Sequence, residues 1–379
     1  MSITPSMRPR AAASAADGGT SGAVRIPRRL FALSALALPM AFSIGAVAAS
    51  PNSNGGPGSS SGKTAADRAM DNVMTPDQIQ KTLQTMAESF RSWPNAPIMH
   101  WPDEQGLKYE NIFFPSEDGV PLEGWYIPRP GSDKIVIANH PRWFNRAGLP
   151  SHLEPWSAFG GPGNDFEVNF VPDYKILHDA GYNVLAYDMR NFGHSGTANG
   201  GIFSVGRYES RDVIGSLNYV RNREDTRGMT IGLFSRCAGG NATLFAMSRR
   251  PDAFQGVRCL VSPQPMSSRV AAERAMERLG IPATYLDDLN HRVRLQTSFT
   301  IDQFSPVPWA KNVMIPTFLY QVRDDLNTRP SDIQAMYDNI PVAEKRLHWI
   351  EGTTRRWDGY TYFQREPQQM LDWFERFMA

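Results

Sequence analysis

Residues Met229–Met247 read MTIGLFSRCAGGNATLFAM, and three patterns follow one another within this stretch. The run Met229–Phe234 is apolar and free of charge, which is typical of a strand buried on both faces. Small residues follow in Ser235–Gly240, and Asn241–Arg250 carries small and apolar residues at helical spacing. The stretch therefore predicts a strand, a sharp turn and a helix.

Length and composition narrow the class of protein. The 379 residues, 41% of them hydrophobic, suffice for one large α/β domain with additions. A formal net charge of +1 gives no reason to expect nucleic acid as a partner. The two cysteines, Cys237 and Cys259, form neither a disulfide framework nor a metal-finger spacing. We therefore expect both thiols to be free. We also expect a small molecule as the substrate, with no metal and no cofactor. The sequence leaves the oligomeric state open.

The first fifty residues have the pattern of an export signal. Arg28 and Arg29 precede the apolar run Leu30–Ala49, which contains an A-x-A cleavage pattern at Ala46–Ala48. Arg28-Arg29-Leu30-Phe31 resembles the twin-arginine signal, which exports folded proteins. We expect a periplasmic or secreted protein without stable membrane association after cleavage; an uncleaved anchor is the alternative. The predicted organisation is an export signal over 1–49, a flexible linker over 50–66 and a folded domain over 67–379.

Strands and helices alternate along the folded part. This alternation implies a mostly parallel sheet covered by helices, with catalytic groups on loops at the carboxyl ends of the strands. The predicted strands are 109–115, 122–128, 134–140, 183–188, 229–235, 257–262, 316–323 and 346–352. The predicted helices include 76–93 with Thr75 as N-cap, 173–180, 208–223 and 367–378.

Two stretches interrupt the alternation. Pro141–Pro172 is long and rich in glycine, proline and aromatic residues. The segment of about 266–304 contains a charged helix, Ser268–Leu279, and a second helical stretch at Tyr285–Leu295. Because it falls between the sixth and seventh strands, we expect it to form a cap over the active-site face.

Over roughly residues 108–379, the chain resembles the α/β-hydrolase superfamily. The resemblance implies the α/β-hydrolase fold, with the cap inserted between strands 6 and 7. It rests on a hairpin joined by Asp118-Gly119, Asn139-His140 after the third strand, Tyr187–Gly196 after the fourth, the turn at Ser235–Gly240, and Asp324-Asp325 after the seventh.

The turn resembles the nucleophile elbow of this superfamily, written G-x-S-x-G. In that pattern Ser235 takes the first glycine, Cys237 the nucleophilic serine and Gly239 the last glycine. Small residues are needed because the turn is tight. Dienelactone hydrolases in the superfamily also carry cysteine at the elbow. The alternative is a purely structural glycine-rich turn.

The other two catalytic positions of the superfamily differ in how well they match. The resemblance places the acid at Asp325; the alternative is a solvated turn. The superfamily histidine follows the last strand as G-x-x-H, but here Gly352 leads to Arg355. Arginine cannot take the nucleophile's proton or activate water near neutral pH. It can favour a Cys237 thiolate, together with the helix N-terminus, and Asp325 would orient Arg355.

Histidines elsewhere offer few substitutes for the missing base. His140 lies beside the oxyanion loop, where it either acts as a catalytic group or only orders the loop. His194 is expected to be buried behind the elbow, and His291 lies in the cap. The expected oxyanion donors are the backbone N–H of Ala238 and that of Arg142 or Trp143.

Three hypotheses follow. The first is an exported enzyme that cleaves a small carboxylic ester, thioester or lactone through Cys237, with the substrate held by aromatic residues of the 141–172 loop and the cap. The second is a binding protein that kept the fold and lost turnover. The third is an acyl-transfer or lyase enzyme in which thiolate and arginine suffice without a base.

Overall fold

A computed structural model describes residues 74–91 and 93–379. The predicted export signal and linker, and the domain boundaries near residues 49 and 66, lie outside this range and stay predictions. No helix in the described part of the chain is long and apolar enough to cross a membrane.

Eight strands form the main sheet, in the order β1-β2-β6-β3-β7-β8-β9-β10. The β1–β2 and β2–β6 pairs are antiparallel and every other pair is parallel. Two short strands, β4 and β5, pair separately. The strands are β1 Glu110–Pro115, β2 Pro121–Ile127, β3 Lys134–Asn139, β4 Gly148–Leu149, β5 Val168–Asn169, β6 Asn183–Tyr187, β7 Thr230–Ser235, β8 Val257–Pro263, β9 Thr317–Val322 and β10 Lys345–Ile350.

The α-helices of the described residues cover both faces of this sheet. They are α1 Pro76–Glu88, α2 Val171–Asp179, α3 Ser210–Asn222, α4 Ala238–Arg249, α5 Ser268–Leu279, α6 Leu286–Thr297, α7 Pro330–Asn339, α8 Arg356–Tyr360, α9 Tyr362–Arg365 and α10 Gln368–Met378.

The central strands explain why the sheet forms where the sequence predicts it. Strands β3, β7 and β9 are almost wholly buried, as their uncharged interiors require. The β1–β2 hairpin lies at one edge of the sheet, and its β1 strand alternates between buried and exposed residues. The predicted fold class, a mostly parallel sheet covered by helices, is confirmed.

Three details differ from the sequence prediction. Helix α1 begins as expected at the Thr75 N-cap but ends at Glu88 rather than near Trp93. The 141–172 loop contains the β4–β5 pair. Helix α7 was not predicted. Its Pro330 at the first turn is a helix-start signal that the sequence does carry.

The cap lies where the sequence predicts it. Helices α5 and α6 fall between β8 and β9, which are the sixth and seventh strands of the main sheet. Their cavity-facing residues include Ala271, Ala275 and Val293. Since β7 ends beneath this segment, the cap forms a wall over the elbow turn.

Candidate active site

The turn after β7 holds Cys237 in a strained backbone conformation. Its φ of 47° and ψ of −108° lie in a region that residues with a side chain rarely adopt. The Cys237 N–H donates to the carbonyl of Pro263 at 2.8 Å, which fixes the turn against β8. The thiol therefore stands at the carboxyl edge of the sheet, as the residue immediately before α4.

Close packing explains the small residues around Cys237. A Cβ at Gly239 would lie 2.6 Å from the Cβ of Asn139, a separation that packed atoms do not tolerate. Ser235 is accepted in place of glycine because its buried hydroxyl has partners. It accepts from Asn139 Nδ2 at 2.8 Å and from Thr243 Oγ1 at 2.9 Å.

Arg356 lines the same cavity as Cys237. It is the first residue of α8, and its side chain is only 3% exposed. Its Nη1 forms an ion pair with Asp325, its Nη2 donates to the Gln264 carbonyl, and its Nε donates to the Tyr360 hydroxyl at 2.9 Å. All three guanidinium nitrogens therefore have a partner.

Asp325 is held by more than the arginine. Its Oδ2 accepts from Gln321 Nε2 at 3.1 Å, and its Oδ1 accepts from the backbone N–H of Asn327 at 2.9 Å. The solvated turn considered for this position is therefore wrong, because the carboxylate is wholly buried.

The predicted pairing of Asp325 with Arg355 is wrong by one residue. Arg355 lies just before α8, and its side chain is 49% exposed. Its Nε and Nη2 each lie 3.0 Å from a carboxylate oxygen of Asp358. It is not among the residues that line the cavity above Cys237, whereas Arg356 is. The arginine that faces the cysteine is thus Arg356.

Arg356, Tyr360 and Cys237 line the same cavity, and the charges of the three groups affect one another. Burial alone would lower the pKa of Arg356, but Tyr360, Asp325 and Cys237 raise that pKa well above its ordinary value. Burial raises the pKa of Tyr360 well above its usual range, although Arg356 opposes this. At neutral pH the sulfur therefore faces a cation and a protonated phenol.

His140 is not placed to act as a base. Its Nδ1 lies 2.7 Å from the Pro141 carbonyl, and its Nε2 accepts from the Met189 N–H at 2.9 Å. Both ring nitrogens are thus engaged with backbone groups. Burial lowers the pKa of His140 to about 4, so the ring is neutral at pH 7. The catalytic role considered for His140 is therefore wrong, and the residue orders the loop after β3.

The other histidines considered also lie away from the thiol. His194 is exposed rather than buried, and its Nδ1 lies 3.0 Å from a Glu123 carboxylate oxygen. His291 is exposed on α6 and does not line the cavity.

The expected oxyanion donors are available at the elbow. The backbone N–H groups of Ala238, Arg142 and Trp143 have no hydrogen-bond partner within residues 74–91 and 93–379. Trp143 has a φ of 69°, so the loop after β3 turns sharply at this point. An oxygen bound at Ala238 and Arg142 would replace water as the acceptor of these donors.

A cavity of about 300 Å³ opens above Cys237. Its walls come from the loop after β3, the cap, α1 and α8. Trp143 and Phe159, which stack with their ring centroids 4.7 Å apart, contribute from the 141–172 loop, but Trp156 and Phe166 of that loop do not. The volume suits a small organic molecule.

Cys259 differs sharply from Cys237. It lies within β8, is fully buried, and burial raises its pKa to about 12. Both cysteines are free thiols, as predicted. Within the described residues, no cluster of metal-ligating side chains is present.

Comparisons with known proteins identify distant relatives of this chain. No family model matches the chain. It is 25% identical over 218 residues to the uncharacterized protein YqkD of Bacillus subtilis, covering 54% of this chain and 68% of YqkD. It is 27% identical over 163 residues to the uncharacterized protein YfhR of Escherichia coli K12, covering 42% of this chain and 48% of YfhR, about half its length.

Among solved structures, the esterase Pf2001 of Pyrococcus furiosus superposes on this chain with a TM-score of 0.56 at 20% identity, covering 76% of this chain and 100% of the esterase. The two chains share a fold. The mostly parallel sheet covered by helices and the strained turn after β7 show that this chain has the α/β-hydrolase fold.

The site differs at one position from the superfamily pattern that the sequence resembles. Asp325 pairs with Arg356 rather than with a histidine, and an arginine cannot accept a proton at neutral pH. Sequence reasoning missed Arg356 and Tyr360. Their spacing of four residues puts both side chains on one face of α8, a signal that becomes readable only once that helix is known.

Proposed function

We propose that this protein cleaves small carboxylic esters, thioesters or lactones, with the Cys237 thiolate as the nucleophile. The observation that carries the proposal is that Cys237, on its strained turn, and Arg356 line one cavity, where the charge of Cys237 contributes to the raised pKa of Arg356. An adjacent guanidinium and a helix N-terminus both favour the thiolate, which attacks without a general base.

The first half of the reaction is acyl transfer to sulfur. The sulfur attacks the carbonyl carbon, and the N–H groups of Ala238 and Arg142 stabilise the oxyanion. Tyr360 retains its proton at neutral pH because burial raises its pKa, so it can donate a hydrogen bond to the departing oxygen or sulfur. The acyl C–O or C–S bond of the substrate then breaks, and the leaving group departs as an alkoxide or thiolate that takes a proton from solvent. A thioester remains on Cys237.

Hydrolysis of the Cys237 thioester, the second half of the reaction, is expected to be the slow step. Hydrolysis of a thioester needs a group that takes a proton from water. Arg356 is a cation, Tyr360 is a phenol, and His140 has both nitrogens engaged. The acyl group is therefore expected to stay on Cys237 longer than in hydrolases with histidine. The same observation favours a second candidate, acyl transfer to a thiol or amine that needs no activation.

Burst kinetics with p-nitrophenyl acetate test the proposal. We expect a rapid release of about one p-nitrophenolate per chain, followed by slow steady turnover, and no burst in Cys237→Ala. Added thiols that raise the steady rate would favour acyl transfer. A burst of equal size in Cys237→Ala would overturn the role of the cysteine, and no reaction in the parent protein would favour the binding-protein hypothesis.

We also propose that the protein is exported and loses its signal near Ala48. The support is the order of the arginine pair, the apolar run and the A-x-A pattern. N-terminal sequencing of the mature protein tests this. A chain that begins at Met1 in a membrane fraction would show an uncleaved anchor instead.

A further inference from the structure

The guanidinium of Arg142 projects into the active-site cavity without an acidic partner. Its Nη2 is held by the backbone carbonyl and the hydroxyl of Ser89 on the far side, with the hydroxyl at 3.1 Å. Its Nη1 makes no hydrogen bond to another described residue, and its Nε is buried without a partner. No carboxylate of these residues lies within ion-pair distance of Arg142.

Aromatic rings hold this guanidinium in place. It lies 4.8 Å from the ring centroid of Phe90, 4.4 Å from that of Trp143 and 4.9 Å from that of Phe203. Burial lowers the pKa of Arg142 to about 9, so it remains a cation at neutral pH. A cation fixed in an apolar setting has little freedom to reach another partner.

The surrounding cavity carries no acidic side chain to balance this charge. Among the described residues, Arg142, Arg278 and Arg356 line this cavity, and no Asp or Glu does. The charge of Arg356 is balanced by Asp325, which does not line the cavity. The nearest acid that affects Arg142 is Glu209, whose carboxylate accepts hydrogen bonds from Ser204 and Gly206.

Arg142 and Cys237 line the same cavity of about 300 Å³, and the charge of Cys237 raises the pKa of Arg142. The backbone N–H of Arg142 is also an expected oxyanion donor. A carboxylate bound by the Arg142 side chain would therefore share this cavity with the carbonyl that Cys237 attacks, which suits an anionic group on the acyl part of a short substrate.

We propose that Arg142 Nη1 binds a carboxylate of the substrate, so that the preferred substrates are small esters or thioesters whose acyl part ends in a free carboxylate, such as half-esters of short dicarboxylic acids. The inference rests on the proposed function for the reaction itself. It adds a binding group that selects anionic over neutral acyl chains. The two N–H groups of Nη1 can donate to the oxygens of one carboxylate group.

Two alkylating reagents separate this inference from the proposed function. Iodoacetate carries a carboxylate and iodoacetamide carries a neutral amide, yet both transfer the same carbon to a thiol. We expect Arg142→Met to lower the ratio of the iodoacetate rate to the iodoacetamide rate at Cys237 about tenfold, as loss of a charged hydrogen bond would do. Arg355→Met removes an arginine outside the cavity and is the matched control, which should leave the ratio unchanged.

If Arg142→Met slows the labelling of Cys237 by iodoacetate and by iodoacetamide equally, Arg142 acts on the sulfur and the inference is overturned. A ratio of the two labelling rates that is unchanged from the parent protein would overturn it as well. Arg142→Lys keeps the cation and should retain part of the preference for iodoacetate. If the parent protein labels with the expected preference yet cleaves no ester, the proposed function fails while the carboxylate site stands.

Protection of the parent protein provides a test that requires no variant. Succinate is expected to slow iodoacetamide labelling of Cys237 in a saturable way, and succinamide at the same concentration is not. Protection by both compounds, by neither, or by inorganic phosphate but not succinate would contradict carboxylate binding at Arg142.

Discussion

The buried ion pair between Arg356 and Asp325 provides a test of which arginine, Arg355 or Arg356, pairs with the acid. The test compares the free energy of unfolding of variants at the two positions. Both side chains of the pair are buried, 3% and 0% exposed. Replacing Arg356 with glutamine leaves the Asp325 carboxylate buried with only neutral donors, from Gln321 and Asn327. Loss of one partner from a buried pair costs about 3 to 5 kcal/mol. We expect Arg356→Gln to lower the free energy of unfolding by that amount.

Arg355→Gln is the matched control. The Arg355 side chain is half-exposed, so solvent screens its pair with the buried Asp358 and the interaction is worth about 1 kcal/mol or less. Urea unfolding of both variants, followed by circular dichroism, measures the two costs. The expected order is a large loss for Arg356→Gln and a small one for Arg355→Gln.

A double-mutant cycle isolates the pair from other effects. Asp325→Asn should be costly alone, because it leaves the Arg356 cation buried without its anion. The double variant should lose less stability than the sum of the single variants, with a coupling of about 1 to 3 kcal/mol. Equal losses in the Arg355 and Arg356 variants, or additive losses in the cycle, would refute the assignment of Arg356 to the acid.

Three further outcomes follow from the site. Iodoacetamide at neutral pH should label Cys237 and leave Cys259 unmodified, because burial holds the pKa of Cys259 near 12; preferential labelling of Cys259 in peptide mapping would contradict the elbow assignment. Arg356→Gln should slow labelling of Cys237 at pH 7 about tenfold relative to Arg355→Gln, with a smaller effect at high pH; equal rates would show that Arg356 does not act on the sulfur. His140 has a folded-state pKa of about 4 against 6.5 in the unfolded chain, so its contribution to stability is present above pH 6.5 and is lost as the pH falls toward 4. The stability advantage of the parent protein over His140→Gln should therefore shrink by about 3 kcal/mol across that range in pH-dependent urea unfolding, and a constant difference would mean that His140 is not buried as a neutral ring.

Much of the fold could be predicted from sequence because its signals are local. The uncharged β7 run, the small residues of the turn and the proline-led start of α1 each depend on neighbouring residues. These signals placed Cys237 at the end of β7 and the cap between β8 and β9. The end of α1 was less predictable, since no strong helix stop follows Glu88.

The geometry of the catalytic cluster could not be predicted in the same way. Gly352, with a φ of 77°, turns the chain after β10, and α8 begins at Arg356. A shift of one residue at such a turn sends Arg355 toward solvent and Arg356 toward Asp325. That choice depends on contacts with Gln264 and Asp325, which are distant in sequence.

The burial of His140 is a similar case. Its partners are backbone groups of Pro141 and Met189, which do not depend on side-chain identity and leave no pattern in the sequence. The position of His140 beside the oxyanion loop suggested a catalytic role, whereas its hydrogen bonds to backbone groups show a structural one.

The most direct test of the central claim is the intact mass of the protein after brief reaction with p-nitrophenyl acetate, followed by peptide mapping. We expect one acetyl group per chain, located on Cys237, with a lifetime long enough to be trapped at neutral pH. We also expect no adduct in Cys237→Ala and a parent-like adduct in Arg355→Gln. Acetylation at another residue, or an unmodified chain that still releases p-nitrophenolate in a burst, would show that Cys237 is not the nucleophile.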